Sequence, residues 1–287
     1  MTIVVTGASG QLGHHVVNGL LDAGVPAGDI VAAARTPAKA ADLAARGVQV
    51  READYDRPET LKSALAGADK VLLISGSEPG RRVAQHQAVV TAAQEAGASL
   101  LAYTSIPYAD RSPLLLAAEH KATEEAIRAS GLAFTFLRNG WYFENYGPSI
   151  TYAAATGTLT GGAGEGRVSA GTRADYAAAA VAVLTGEGHD GQVYELGGDE
   201  AWTYADLAAA ISAAAGKPVT YQDLPREQNQ AALLAAGLPE GYAEVLADSD
   251  EGIAAGHLEV RTGDLARLIG RPATTLSDAV TASLEQA

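Results

Sequence analysis

Three glycines near the start of the chain have the residue type and the spacing that could hold a phosphorylated ligand. Gly7, Gly10 and Gly13 lie three residues apart, and a glycine leaves room for backbone N–H groups to approach an anion. In such a turn Gly7 would form the bend, Gly10 would admit the anion, and Gly13 would let a following helix pack closely. The spacing predicts a phosphate site built from backbone dipoles.

The neighbouring residues supply the elements that must position this turn. An uncharged β-branched run, Ile3-Val4-Val5, predicts a buried strand before it. Val16, Val17, Leu20 and Leu21 then recur as one face of a helix. A strand, a glycine turn and a helix together place a pyrophosphate at the helix N-terminus, so we predict a dinucleotide site, with an ordinary strand-to-helix turn as the alternative. Its predicted cofactor contacts are Gly7, Ala8, Ser9, Gly10, Gln11 and Leu12.

Composition excludes several other classes of protein. A net charge of -14 argues against a nucleic-acid partner, because such binding depends on clustered Lys and Arg. The chain has no cysteine, which removes disulfides and thiolate chemistry, and its six histidines are scattered, so we predict no metal site. It has neither a basic leader with a long apolar stretch nor any apolar run near 18 residues. We expect a cytoplasmic protein without membrane insertion.

Arg35 indicates which dinucleotide would bind. It follows a second predicted buried strand, Ile30–Ala34, at the place where doubly wound folds meet the adenosine ribose. An acidic residue there selects NAD, whereas an arginine can pair with the 2′-phosphate of NADP. A further charge-assisted contact contributes about 1.5 to 3 kcal/mol, or roughly 10- to 150-fold in affinity. We therefore predict a preference for NADPH over NADH; a solvated loop charge is the alternative.

Other strand ends carry polar or aromatic residues. Asp54 and Tyr55 follow the third predicted strand, where they would face either an adenine or solvent. Ser75-Gly76-Ser77 follows the fourth, at the strand end where this architecture gathers its ligands. His86 lies among valines on a predicted helix and is expected to be structural. Four aromatic residues fall within residues 141–146, which would suit a flat apolar ligand or a hydrophobic seam between two domains.

The alternation of strands and helices predicts an α/β fold, a Rossmann-like doubly wound parallel sheet with a smaller α/β C-terminal lobe. We assign residues 1–150 to an NADP-binding domain, to which segments around 168–197 return, and residues 151–287 to a lobe that covers the substrate. The stretch 157–166 is rich in glycine and is expected to be a loop. Thr203 and Asp206 have the spacing of a helix N-cap.

Five segments, in this order, give the chain a family resemblance. They are Thr6-Gly-Ala-Ser-Gly-Gln-Leu-Gly13, Arg35, Tyr103-Thr-Ser105, Arg138-Asn-Gly-Trp-Tyr142 and Thr172-Arg-Ala-Asp-Tyr176. In these segments the chain resembles the NmrA-like atypical short-chain dehydrogenases, and among them the bacterial type 2 NAD(P)H:quinone oxidoreductases. The resemblance implies NADPH lying across the strand ends, with Arg35 at its 2′-phosphate. It implies further cofactor contacts at Ser75, Gly76, Ser77, Tyr103, Arg138, Asn139 and Gly140.

The chain departs from the wider superfamily in its proton donor. Typical members place a tyrosine four residues before a lysine, and the tyrosine protonates the carbonyl oxygen as hydride arrives. Lys121 matches the lysine, but the tyrosine position holds Ala117, and Tyr108 has no lysine four residues later. Reduction of a simple carbonyl needs that acid, whereas a hydroquinone anion is far less basic and can take its proton from water. The substitution favours a quinone substrate, although it is also compatible with no turnover.

The resulting hypothesis is a quinone reductase that transfers hydride directly from NADPH without flavin or metal. Asn139 or Lys121 would hydrogen-bond a quinone oxygen, and Trp141, Tyr142 and Phe143 would wall the quinone pocket. The alternative is a redox sensor of the NmrA-like type that binds NADP(H) without turnover. Oxidation of NADPH by a benzoquinone would separate these functions. The sequence is compatible with a homo-oligomer but carries no signal for one.

Overall fold

The computed structural model describes residues 1–286, which divide into two units by the density of their contacts. The first unit comprises residues 1–109, 119–139 and 173–194, and the second comprises the remaining segments, residues 110–118, 140–172 and 195–287, of which residue 287 is not described. The chain leaves the first unit after Asn139, earlier than the predicted limit near residue 150, and returns for residues 173–194, within the predicted returning segment.

A seven-stranded sheet forms the centre of the first unit, in the order β3-β2-β1-β4-β5-β6-β8. Its strands are β1 (Ile3–Thr6), β2 (Ile30–Ala34), β3 (Gln49–Glu52), β4 (Lys70–Leu73), β5 (Leu100–Ser105), β6 (Phe134–Asn139) and β8 (Gln192–Leu196). The pairs from β3 through β6 are parallel, so the carboxyl ends of these strands share one edge. The spatial order of the strands changes direction between β1 and β4. Open α/β sheets bind their ligands at such a point. The predicted doubly wound fold is confirmed.

The central strands are apolar because helices cover both faces of a parallel sheet. Every residue of β1, β2 and β5 is buried. The helices that follow strands in this unit are α1 (Gln11–Asp22), α2 (Ala41–Ala45), α3 (Pro58–Leu65), α4 (Arg82–Ala96), α5 (Leu115–Ala129, whose first turn belongs to the second unit) and α7 (Arg173–Thr185). Gly19 of α1 lies so close to α7 that an added Cβ would meet Val181 at 3.0 Å. The later segment is therefore part of the core of this unit.

The second unit contains a two-stranded parallel sheet and a set of helices. The sheet pairs β7 (Thr158–Gly161) with β9 (Thr220–Asp223). The helices are α6 (Gly147–Thr156), α8 (Tyr204–Ala215), α9 (Arg226–Ala235), α10 (Glu240–Ala254), α11 (Asp264–Ile269) and α12 (Leu276–Glu285). The predicted cap is confirmed, because the side chains of Thr203 and Asp206 each bond the other's backbone N–H at the start of α8.

The predicted loop at residues 157–166 is wrong in part. Residues 157–166 are not entirely a loop, because β7 begins directly after Gly157 and is completed by β9, about 60 residues away in sequence. Residues 168–171 form only isolated bridges, one of them between Val168 and Trp202. Ser249, near the end of α10, is buried.

A partly buried carboxylate joins several elements of the second unit. Asp250 of α10 accepts hydrogen bonds from the Tyr204 hydroxyl at 2.5 Å, from the Gly162 N–H at 2.8 Å and from the Asn229 side chain at 2.8 Å. These partners lie on α8, after β7 and on α9, so one side chain joins four segments. Burial raises the pKa of Asp250 above its ordinary value.

Candidate functional site

The glycine turn after β1 has the geometry that its spacing predicts. Gly7 has a φ of +62°, a left-handed conformation that favours glycine. A Cβ on Gly13 would clash with the carbonyl oxygen of Gly7 and lie 2.7 Å from Cα of Ala8, so only glycine fits where α1 packs on the turn. Gly10, by contrast, faces open space apart from the Gly7 carbonyl oxygen. The turn is therefore tightly packed against α1 at Gly13, whereas space remains beside Gly10.

The N-terminus of α1 is available to an anion. Gly10 is its N-cap and has no side chain to bond the first N–H groups, and the first turn carries no acidic residue. Gln11 is exposed and Ser9 is partly exposed, whereas Ala8 and Leu12 are buried. Free N–H groups and the helix dipole give this end a partial positive charge. The Ala8 N–H already donates to the Ala33 carbonyl at 3.1 Å, so contact of Ala8 with a cofactor stays a prediction.

Tyr55 lies beneath the turn instead of facing solvent. Its hydroxyl is 2.5 Å from Oγ1 of Thr6, at the end of β1, and donates to the carbonyl of Ile74 at 2.9 Å. Burial raises the pKa of Tyr55 above its ordinary value. This residue links the end of β1 to the segment after β4, so its hydroxyl already has two partners within the protein. The pattern of residues 53–55 could not show this contact, because it joins segments 49 residues apart.

Arg35 extends from the end of β2, as predicted, and is paired. Its Nη1 lies 3.1 Å from Oε1 of Glu78, and the side chain is 67% exposed. The other oxygen of Glu78, Oε2, lies 2.9 Å from Nη1 of Arg81. Arg81 in turn contacts Asp56 at 2.8 Å. Sequence reasoning missed Glu78, whose role depends on a partner 43 residues earlier in the chain.

The segment that follows β4 is held at Gly76 by two buried side chains of α4. The Gly76 N–H donates to Nε2 of His86 at 2.9 Å, and the Gly76 carbonyl accepts from Nε of Arg82 at 2.5 Å. Because Nε2 of His86 accepts, its Nδ1 carries the proton and donates to Oγ1 of Thr123 at 2.9 Å. Burial, reinforced by the charge of Arg82, lowers the pKa of His86 to about 4. The expectation that His86 is structural agrees with these contacts, and the residue is fully buried.

Two predicted cofactor residues have side chains directed into the protein. The guanidinium of Arg138 bonds Glu124 through Nε at 2.9 Å and Nη2 at 2.7 Å, and Ser105 donates to the same carboxylate at 2.7 Å. Tyr103 is fully buried, and its hydroxyl lies 2.7 Å from Nδ1 of His120. Because the Tyr103 side chain is fully buried, it is not open to a nucleotide, and this conflicts with its predicted cofactor contact. The predicted contact of Arg138 remains a prediction, with two of its nitrogens already bonded.

The proposed quinone-binding residues of the first unit differ in exposure. Asn139 ends β6 and is 5% exposed, whereas Lys121 is exposed on α5. Ala117 lies one helical turn before Lys121 and is buried, so a methyl group takes the place of the missing acid. Tyr108, in the loop after β5, is the one non-glycine residue with positive φ among residues 1–286, at +52°. Such a conformation is strained and more frequent near functional sites.

Trp141, Tyr142 and Phe143 belong to the second unit. The backbone of this segment pairs with Gly171, which accepts from the Phe143 N–H and donates to the Trp141 carbonyl, both at 3.0 Å. The ring of Phe143 is 5% exposed and stacks on Trp202 with centroids 5.6 Å apart. Phe143 therefore packs inside this unit, and its predicted place in a pocket wall disagrees with its burial. Trp141 and Tyr142 are partly exposed.

Neither a metal-binding group of side chains nor a helix suited to crossing a membrane is present in residues 1–286. No group of three or more His, Cys, Asp or Glu side chains in this range could hold a metal ion. No helix within it is both long and apolar enough to cross a membrane.

Comparison with known proteins gives the chain a family and several full-length relatives. The NmrA-like family model matches residues 1–260. Quinone oxidoreductase 2 of Escherichia coli (strain K12) is 51% identical over 278 residues, which cover 97% of this chain and 97% of that protein.

Two solved structures are also similar over nearly the whole chain. The crystal structure of an NADPH-dependent quinone oxidoreductase from Escherichia coli, complexed with NADPH, has a TM-score of 0.95 and 50% sequence identity, and covers 99% of this chain and 100% of that chain. The Citrobacter sp. triphenylmethane reductase complexed with NADP(H) has a TM-score of 0.94 and 40% identity, and covers 98% of this chain and 100% of that chain.

Proposed function

Since the chain belongs to the NmrA-like family, we propose that it is an NADPH-dependent quinone oxidoreductase. The observation that carries this proposal is the glycine turn. It packs tightly against α1 at Gly13, leaves space beside Gly10, and precedes a helix whose first N–H groups have no side-chain cap. Arg35 lies at the end of the neighbouring strand β2. The similarity to a quinone oxidoreductase over 97% of the chain supports the same activity. Location in the cytoplasm and the oligomeric state stay predictions.

The residues present fit a phosphorylated dinucleotide. A Cβ at Gly13 would fill the space that the turn occupies, and the N–H groups at the start of α1 have no side-chain cap. The backbone from Gly7 to Leu12 would hold the pyrophosphate, because helix N-termini bind anions. Arg35 would bind the 2′-phosphate, and Ser75 to Ser77 would lie toward the nicotinamide. The backbone of this last segment is fixed at Gly76, so it would meet the ligand with little rearrangement.

NADPH, when bound, supplies the hydride that reduces the quinone. The protein's contribution is to hold the quinone in reacting geometry, which can lower a barrier by several kcal/mol. Asn139 would donate a hydrogen bond to a quinone oxygen as negative charge develops there, and Lys121 is the alternative donor. Contact of Trp141 and Tyr142 with the quinone stays a prediction for each residue.

The residue at the position of the absent tyrosine, Ala117, suits a quinone better than a simple carbonyl compound. Ala117 is buried and cannot donate a proton. A hydroquinone anion spreads its charge over an aromatic ring and can be protonated by water. An alkoxide would need an acid that α5 lacks at this position.

An anaerobic assay tests the function directly. The purified protein, showing no flavin band in its visible spectrum, should oxidise NADPH with a simple benzoquinone well above the enzyme-free rate. NADPH deuterated at the transferred position should slow single turnover if hydride passes directly to the quinone. Saturable NADPH binding without turnover would refute the enzymatic proposal and favour a redox sensor.

Variants then locate the quinone contact. Asn139→Ala should lower kcat/KM for the quinone more than it weakens NADPH binding, because a contact made mainly in the transition state is lost. Lys121→Gln tests the alternative donor, and Lys62→Gln, at another exposed lysine, is the matched control. Equal small effects of Asn139→Ala on both quantities would remove Asn139 from the site.

A further inference from the structure

The guanidinium of Arg35 is part of a chain of alternating charges. Oε1 of Glu78 contacts Arg35 at 3.1 Å, Oε2 of the same carboxylate contacts Arg81 at 2.9 Å, and Arg81 contacts Asp56 at 2.8 Å. A ligand phosphate that approaches Arg35 therefore also approaches a carboxylate. The predicted 2′-phosphate site is an ion pair and not an isolated cation.

This ion pair spans the edge of the sheet where the glycine turn lies. Arg35 directly follows β2 and Glu78 lies in the segment after β4, and β1 runs between these two strands. Neighbouring strands are about 4.8 Å apart, so the ends of β2 and β4 are separated by roughly 10 Å. The Arg35–Glu78 pair joins the segments that follow these two strands.

The backbone on both sides of Glu78 is anchored. Gly76 is held through its N–H by His86 and through its carbonyl by Arg82, and both side chains are buried. On the other side, the Gly80 N–H donates to Oε1 of Glu119 at 2.7 Å. Glu78 therefore lies between two anchored glycines, and its carboxylate contacts both Arg35 and Arg81.

We propose that Glu78 sets how strongly the protein distinguishes NADPH from NADH, by reducing the advantage that Arg35 gives to a 2′-phosphate. This inference rests on the proposed function. A phosphate monoester carries a charge of about -1.5 to -2 near pH 7, and the Glu78 carboxylate repels it. The 2′-hydroxyl of NADH can instead donate a hydrogen bond to a carboxylate, as in folds where an acidic residue selects NAD. Arg81 moderates the repulsion by drawing Glu78 away from Arg35.

The test is a nucleotide titration of Glu78→Gln, with binding as the readout and no quinone present. The Kd for NADPH should fall about three- to tenfold at low salt, as expected when a like charge a few ångströms from the phosphate is removed. The Kd for NADH should stay the same or rise. Two probes isolate the adenosine half: 2′,5′-ADP should gain affinity and 5′-AMP should not. The gain should shrink at high salt, because the Glu78 side chain is 38% exposed and open to screening.

Two further variants separate this effect from a general change of charge. Glu95→Gln removes an exposed carboxylate from another ion pair, with Lys62 at 3.2 Å, and should leave both Kd values unchanged. Arg81→Gln should raise the Kd for NADPH, because Glu78 would then keep Arg35 as its partner. An unchanged or smaller NADPH preference in Glu78→Gln would overturn the inference while the proposed function stands. If the wild-type protein bound neither nucleotide, the proposed function itself would fail.

Discussion

Replacing His86 by glutamine should change how the stability of the protein depends on pH. In the wild-type protein Nε2 of His86 accepts the N–H of Gly76, and the imidazole is neutral and fully buried. Protonation would remove that acceptor and place a second positive charge beside Arg82. The amide oxygen of glutamine can also accept a hydrogen bond but does not titrate.

The magnitude follows from the lowered pKa of His86. Its value in the folded protein is about 4, against about 6.5 for an unperturbed histidine. The folded state therefore resists protonation that the unfolded chain accepts, so the contribution of His86 to stability is complete above about pH 6.5 and is lost as the pH falls toward 4. Between pH 7.5 and 5.0 this loss amounts to about 2 kcal/mol.

Urea unfolding at a series of pH values measures the effect. The difference between the free energies of unfolding of the wild-type protein and of His86→Gln should change by about 2 kcal/mol, against the wild type, as the pH is lowered from 7.5 to 5.0. His120 is also buried, with its pKa lowered to about 3, so its protonation in the folded state lies below the pH range of this measurement. His15→Gln controls for the removal of an exposed histidine. A constant difference between wild type and His86→Gln across this range would show that burial does not keep His86 neutral.

Two further substitutions test the packing around the site. Gly13→Ala should lower the free energy of unfolding by about 1 to 3 kcal/mol and weaken NADPH binding at least tenfold in a calorimetric titration, because its Cβ would clash with the Gly7 carbonyl. Gly28→Ala adds a Cβ to open space and should weaken neither quantity. Glu124→Gln should lower the free energy of unfolding by about 3 to 5 kcal/mol, because it leaves the buried charge of Arg138 without its full partner. A loss below about 1 kcal/mol would show that Arg138 is stabilised mainly by other groups.

The glycine turn could be predicted because its signal is local. A strand, a turn and a helix occupy residues 3–22 without interruption, and the position of Arg35 follows from the end of the next strand. The missing tyrosine at Ala117 could be recognised in the same way, since it requires only a spacing of four residues within one helix. Features of this kind depend on residues that are close in sequence.

The contacts that define the site depend on residues far apart in sequence. Glu78 acts on a residue 43 positions earlier, and no pattern within its own segment indicates that pairing. Arg138 follows apolar strand residues and could be read as a ligand contact, because the sequence cannot show that Glu124 packs behind it. Phe143 belongs to an aromatic cluster that suggests a pocket wall, yet its stacking partner, Trp202, lies 59 residues later. The direction in which a side chain points is set by tertiary packing, which a local sequence pattern does not contain.

The two units are interleaved along the polypeptide, and this limits how either could be produced by itself. A fragment ending at residue 150 would lack α7 and β8, so the surface of α1 near Gly19 would be left uncovered and the sheet would miss its last strand. A shortened gene should therefore yield an aggregating or protease-sensitive product. Transplanting the nucleotide-binding half into another enzyme would require residues 173–194 to be carried along and joined through a new linker.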